Sequence, residues 1–205
     1  MRLLRTSFAL LILVSTACVP LRAAMGPTSL DIGGRRLLSA QSQEVESALI
    51  PARGRSLALR VEEGVSFERL QRFLVMAAAV GVKAVELEHG EGAQHVFPLA
   101  PPVKVERPYL VVALGPDGFY FASEDPPPRR EGERGSGPTI PLVEGRYPYD
   151  ALEQRLRAEY STVALDGVII GAAPSISAVD VLRTWDVVAR FPAGSKVMLA
   201  GFDPP

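Results

Sequence analysis

The chain has 205 residues, 47% of them hydrophobic and 22% charged, close to the averages of globular proteins. It can bury a core, and wholesale disorder is excluded. With 22 Lys and Arg against 23 Asp and Glu, and a formal charge of −1, nothing points to nucleic acid, which calls for a concentrated basic face. The single cysteine, Cys18, excludes an intramolecular disulfide and a cysteine-based zinc site.

Residues Met1 to Ala24 read MRLLRTSFALLILVSTACVPLRAA. Arg2 and Arg5 form a positive start, Phe8 to Val14 an apolar centre, and Ser15-Thr16-Ala17 a small-residue tail, the pattern of an export signal. The uncharged span Thr6 to Leu21 is 16 residues, short of the roughly 20 that a membrane-spanning helix needs. The expectation is a signal peptide over 1–17, with periplasm or cell envelope as destination. Cleavage after Ala17 makes Cys18 the first mature residue and a lipidation candidate, although Ser15 stands where lipoprotein signals prefer Leu. Contact with the membrane is then expected only through a lipid or a short N-terminal anchor.

From 18 to 55 the sequence is punctuated by Gly26-Pro27, Gly33-Gly34 and Pro51, and it reads as a linker with a helical turn or two over Ala40 to Ile50. Order begins at Ser56. Ser56 to Glu62 alternates as a strand; Ser66 caps a helix over Phe67 to Val80; Gly81 ends it; Lys83 to Glu88 alternates again. Residues 56–98 therefore predict a βαβ unit. Tyr109 to Leu114 and Phe119 to Ala122 flank Gly115-Pro116-Asp117-Gly118, a hairpin.

Ser123 to Thr139 holds three consecutive prolines, mixed charges and three glycines, and predicts an exposed loop. Ile140 to Val143 reads as a short strand and Tyr149 to Glu159 as a helix, with Leu152, Leu156 and Tyr160 four residues apart. A strand over Val163 to Ala172, a helix over Ser175 to Phe191 and a strand over Lys196 to Ala200 complete a second strand–helix–strand unit. The two units align at an offset of 111, Val65-Ser66 on Ile176-Ser177 and Leu70 on Val181, which favours an internal duplication.

The order from Tyr109 onward, with the closing Gly194-Ser195-Lys196-Val197-Met198-Leu199-Ala200, resembles the periplasmic domain of the ExbD/TolR family. The resemblance covers 109–202, and 56–98 looks like a further copy of that domain's C-terminal half. It implies an α+β fold of two layers, a mixed β-sheet packed against helices. It implies a role as binding or scaffold module, with ExbB/TolQ-like motor subunits or peptidoglycan as partners and a homodimer formed by strand pairing. Family members carry a membrane helix with an acidic residue; here no Asp or Glu precedes Asp31, so the chain is expected not to carry protons itself.

No catalytic set emerges. His89 and His95 are the only histidines, read as a strand end and a Gly-rich turn, with Glu86, Glu88 and Glu91 near them in sequence. A metal site needs more ligands than this, so neither metal nor cofactor is expected. Gly132 to Gly137 lacks the phosphate-loop pattern, and the basic and acidic residues from Arg129 to Arg134 read as a solvated loop. Trp185 reads as core. Tyr147 and Tyr149 flank Pro148 in an exposed-looking turn and read as a helix-entry staple. The competing class is an envelope lipoprotein that binds a small ligand, or an enzyme, on an unrelated α/β scaffold, which requires a deep polar pocket at strand ends.

Overall fold

A computed structural model describes residues 20–37, 42–90, 92–99, 109–122, 137–162, 165–191 and 196–201. The signal over 1–17, Cys18, Glu91 and most of the loop expected at 123–139 lie outside the described residues. No helix among the described residues is long and apolar enough to cross a membrane.

The fold is α+β: two mixed sheets, each backed by a pair of helices. Strands β1 (Leu21–Met25), β2 (Leu30–Ile32) and β3 (Arg35–Leu37), helix α1 (Ser42–Leu49), strand β4 (Ser56–Val61), helix α2 (Phe67–Val80), and strands β5 (Ala84–His89) and β6 (Ala93–Pro98) build the first unit. Its sheet runs β3-β2-β1-β4-β5-β6, with β1, β4 and β5 parallel. The second unit comprises β7 (Tyr109–Gly115), β8 (Gly118–Ala122), β9 (Ile140–Pro141), α3 (Tyr149–Thr162), β10 (Gly167–Ala172), α4 (Ala178–Val188) and β11 (Val197–Gly201). Its sheet runs β11-β10-β7-β8-β9, with β7, β10 and β11 parallel.

Local chemistry explains the best-defined elements. Helix α2 starts where the Ser66 side chain accepts a hydrogen bond from the Arg69 N–H, and stops at Gly81, whose φ of 90° is left-handed. Phe67, Leu70, Phe73, Leu74 and Ala77 recur at helical spacing and are buried. In α3, Leu152 and Leu156 are fully buried, as their spacing predicts.

The structure corrects the reading of 18–55 as a linker. Residues 21–52 hold β1, β2, β3, α1 and a short 3-10 turn, and β1 lies in the middle of the sheet beside β4. Their buried residues, Met25, Leu30, Ile32, Val45 and Leu49 among them, belong to the same hydrophobic core as the rest. The first unit is accordingly more than the half-copy expected over 56–98. It repeats the whole order of the second, and the registers show it. The pairs Ala23↔Ile32 and Met25↔Leu30 match Val112↔Phe121 and Leu114↔Phe119 at an offset of 89. Leu57 pairs with Leu21 as Val168 pairs with Leu110.

The two units meet at equivalent points. Ser66 and Ser177, related by the offset of 111, form an isolated antiparallel bridge. The Phe67 N–H donates to the Ile176 carbonyl (2.7 Å) and the Ala178 N–H to the Val65 carbonyl (2.8 Å). Each bond is the image of the other under a local two-fold axis. The first N–H of a helix has no partner within that helix; here each unit supplies the missing acceptor for the other. Val65, Phe67 and Ala178 are fully buried at this junction.

Candidate functional site at the junction of the two units

Strand β6 departs from the sequence reading, which left His95 in a turn. Ala93–Pro98 pairs antiparallel with β5, with Leu87 opposite His95 and His89 opposite Ala93. His89 and His95 are therefore diagonal neighbours on one face of the hairpin, close enough for long side chains to meet. Their rings stack with centroids 5.7 Å apart. That face is inward: Val85, Leu87, His89 and His95 are all buried. Glu86 and Glu88 alternate to the other face, where Glu88 accepts a hydrogen bond from Gln94, so they do not join the histidines.

The third member comes from the other unit. Helix α4 packs against β6 and brings Asp186 between the two imidazoles. His95 Nε2 lies 2.8 Å from Asp186 Oδ1 in a hydrogen bond, and His89 Nε2 lies 3.2 Å from Oδ2. The second contact is an ion-pair approach only: among the described residues His89 Nε2 is buried without a hydrogen-bond partner. The histidine side chains are 4% and 8% exposed and the aspartate 30%, so the carboxylate is the most exposed of the three groups.

Trp185 closes the cluster from behind. Its indole stacks on His95 with centroids 4.7 Å apart and an interplanar angle of 14°, and it meets Phe97 edge-on at 6.1 Å. Burial holds the His95 imidazole below its ordinary 6.5, against the charge and hydrogen bond of Asp186, which pull the other way. Trp185 is buried as its sequence context predicts, and in addition it links the units. Asp186 could not be singled out from sequence, because it stands 91 residues from His95 and is an ordinary acidic position on an amphipathic helix.

Tyr147 and Tyr149 are not an exposed turn. The Tyr147 hydroxyl donates to the Gly115 carbonyl (2.6 Å) and that of Tyr149 to the Asp180 carboxylate (3.0 Å), and both rings pack on Phe119. Burial first, and then the charge of Asp180, raise both phenols above their ordinary 10. A raised folded-state pKa means stability that is complete below about pH 10 and lost as the pH rises beyond it. The urea midpoint is therefore expected to fall above about pH 10, and Tyr149→Phe to flatten that fall at a cost of about 1 kcal/mol at neutral pH. An unchanged slope in the variant would assign the loss to other groups.

The junction thus offers two buried imidazoles and one partly exposed carboxylate converging from two units. No protein-family model, no curated protein and no solved structure matches this chain.

Proposed function

We propose that this chain is a non-catalytic binding and scaffold module of the cell envelope, accessory to a proton-driven transport system of the ExbB–ExbD or TolQ–TolR type. What supports this reading is the repeated order of hairpin, helix, strand, helix and strand, which runs from β7 to β11 and again from β1 to β5.

The observation that carries it is an inequality between the units. In the first, β5 is covered on its outer side by β6, and α4 of the other unit lies on β6. In the second, the equivalent strand β11 ends the sheet among the described residues. Helix α2 reaches it from the first unit, with Gln71 4.0 Å from a Cβ placed on Gly201. One turn further along α2 stands Val75, the counterpart of Asp186 by the offset of 111, and it is 68% exposed. An uncovered sheet edge beside an exposed apolar residue suits the addition of a partner strand, whether from a second copy or from another envelope protein.

Affinity capture of the mature protein from envelope extract, with mass spectrometry of what it retains, tests the proposal. Recovery of ExbB/TolQ-like motor subunits or of peptidoglycan fragments is the expected result. A bound small molecule with neither of these would overturn it and favour a ligand-binding lipoprotein. Because Val75 is exposed, Val75→Asp is expected to change stability by no more than about 0.5 kcal/mol. It should nevertheless weaken a strand-adding partner by about tenfold or more. Equal retention by wild type and variant would remove β11 and α2 from the interface.

A further inference from the structure

We propose that His89, His95 and Asp186 bind a divalent transition-metal ion, zinc in the first instance, and that this ion fastens the two units together. The inference is independent of the transport reading, since it rests on the junction alone.

The donor set is two imidazoles and a carboxylate, whose ligand atoms all lie within 4.8 Å of one another. Zinc in protein sites takes nitrogen and oxygen ligands at roughly 2.0–2.2 Å in a tetrahedron, which separates neighbouring donors by about 3.3 Å. The distances from Asp186 to His89 and His95, 3.2 and 2.8 Å, already lie near that spacing. Small shifts of the carboxylate are enough to admit the ion. Both imidazoles present the same atom, Nε2, to the same point.

Two further observations point to a ligand rather than to a closed hydrogen-bond network. His89 Nε2 is buried and has no hydrogen-bond partner among the described residues, although it faces the cluster. Buried polar groups are nearly always satisfied, so an orphaned ring nitrogen aimed at two other metal-binding groups calls for a partner. His95, in turn, is held from outside, its ring stacked on Trp185 with centroids 4.7 Å apart. The partly exposed Asp186 gives an entry path and leaves a fourth position for water.

Both histidines belong to the β5–β6 hairpin of the first unit and the carboxylate to α4 of the second. An ion bound here bridges the units, and its binding energy adds to the cohesion of the junction. A strand added after β5 explains the placement, because without β6 there is no His95 and no surface for α4 to lie on.

The test uses the full chain, produced without a histidine tag and stripped with chelator. Calorimetric titration with zinc is expected to show one ion per chain at micromolar affinity or tighter, and cobalt to give the intense visible absorption of a four-coordinate site. Asp186→Asn and His95→Gln, each close in volume to the residue replaced, are expected to weaken zinc by at least about a hundredfold. Zinc should also raise the thermal midpoint of wild type and leave that of Asp186→Asn unchanged. Cobalt bound to wild type without that absorption, or zinc held equally well by Asp186→Asn, would overturn the assignment. The cobalt spectrum is read on wild type alone and decides the matter even where a variant fails to fold.

Discussion

Phe67→Ala is expected to destabilise the chain by about 3–5 kcal/mol and to loosen both units at once. Phe67 is the first residue of α2, fully buried, and its N–H makes one of the symmetry-related pair of backbone bonds between the units. Removing the ring leaves a cavity where α2 meets Val65, Ile176 and Ala178, a region that cannot collapse without moving the N-terminus of α4. The single tryptophan is well placed to report this. Trp185 lies on α4 and stacks on His95 of the other unit, so its fluorescence reads the junction, while far-UV circular dichroism reads both sheets. Coincident urea transitions for the two signals, shifted together in the variant, are the expected result. A variant whose fluorescence transition separates from the dichroism transition would show that the units unfold independently, and the shared core would then be too weak to couple them.

How legible the molecule was depended on how local each signal is. Helix α2 could be read to the residue because cap, apolar stripe and terminating glycine all lie within Ser66 to Gly81. The hairpin β7–β8 was legible for the same reason, its turn being written in Pro116-Asp117-Gly118. β1 was not. Leu21–Met25 follows an apolar stretch of sequence and shares its composition, while β2 and β3 are three residues each, too short to show alternation. One signal was nonetheless present: Gly26-Pro27 and Gly115-Pro116 occupy the same place after their central strands, at the offset of 89 that the registers share. The duplication seen at Ser66 and Ser177 could have been extended from that dipeptide.

β6 was missed because His95 and Gln94 interrupt a short strand that begins next to a glycine and ends on a proline. The site was therefore beyond reach. His95 needed β6 to be recognised before it could be set beside His89, and Asp186 needed the packing of α4 across units. Tyr147 was misread on its neighbour Pro148; what settled it was Phe119, whose buried ring gives both tyrosines something to pack against.

Gly118→Ala is the second substitution with a large expected effect, about 3 kcal/mol. Gly118 closes the β7–β8 turn at a φ of 152°, and a Cβ there would lie 2.2 Å from the Ile140 carbonyl oxygen and 2.9 Å from both Pro138 Cβ and Pro141 Cα. The oxygen and the Pro141 Cα are backbone atoms and cannot turn aside. β9, which pairs with β8 at Gly118↔Pro141, has to move away. Movement there reaches further than an edge strand: the next residue, Phe119, carries Tyr147 and Tyr149, and Tyr149 is bonded to Asp180 at the start of α4. Gly34→Ala provides the comparison. Its φ of 82° also disfavours a side chain, but nothing lies within 4 Å of the added Cβ. Backbone strain alone should therefore cost that variant about 1–2 kcal/mol. Equal losses in the two variants, measured by urea denaturation, would mean that backbone strain accounts for both and that β9 yields freely. A larger loss at Gly118, accompanied by an altered Trp185 environment, would mean that the close approach of β8 and β9 holds the aromatic cluster against α4, and through α4 positions Asp186 at the junction.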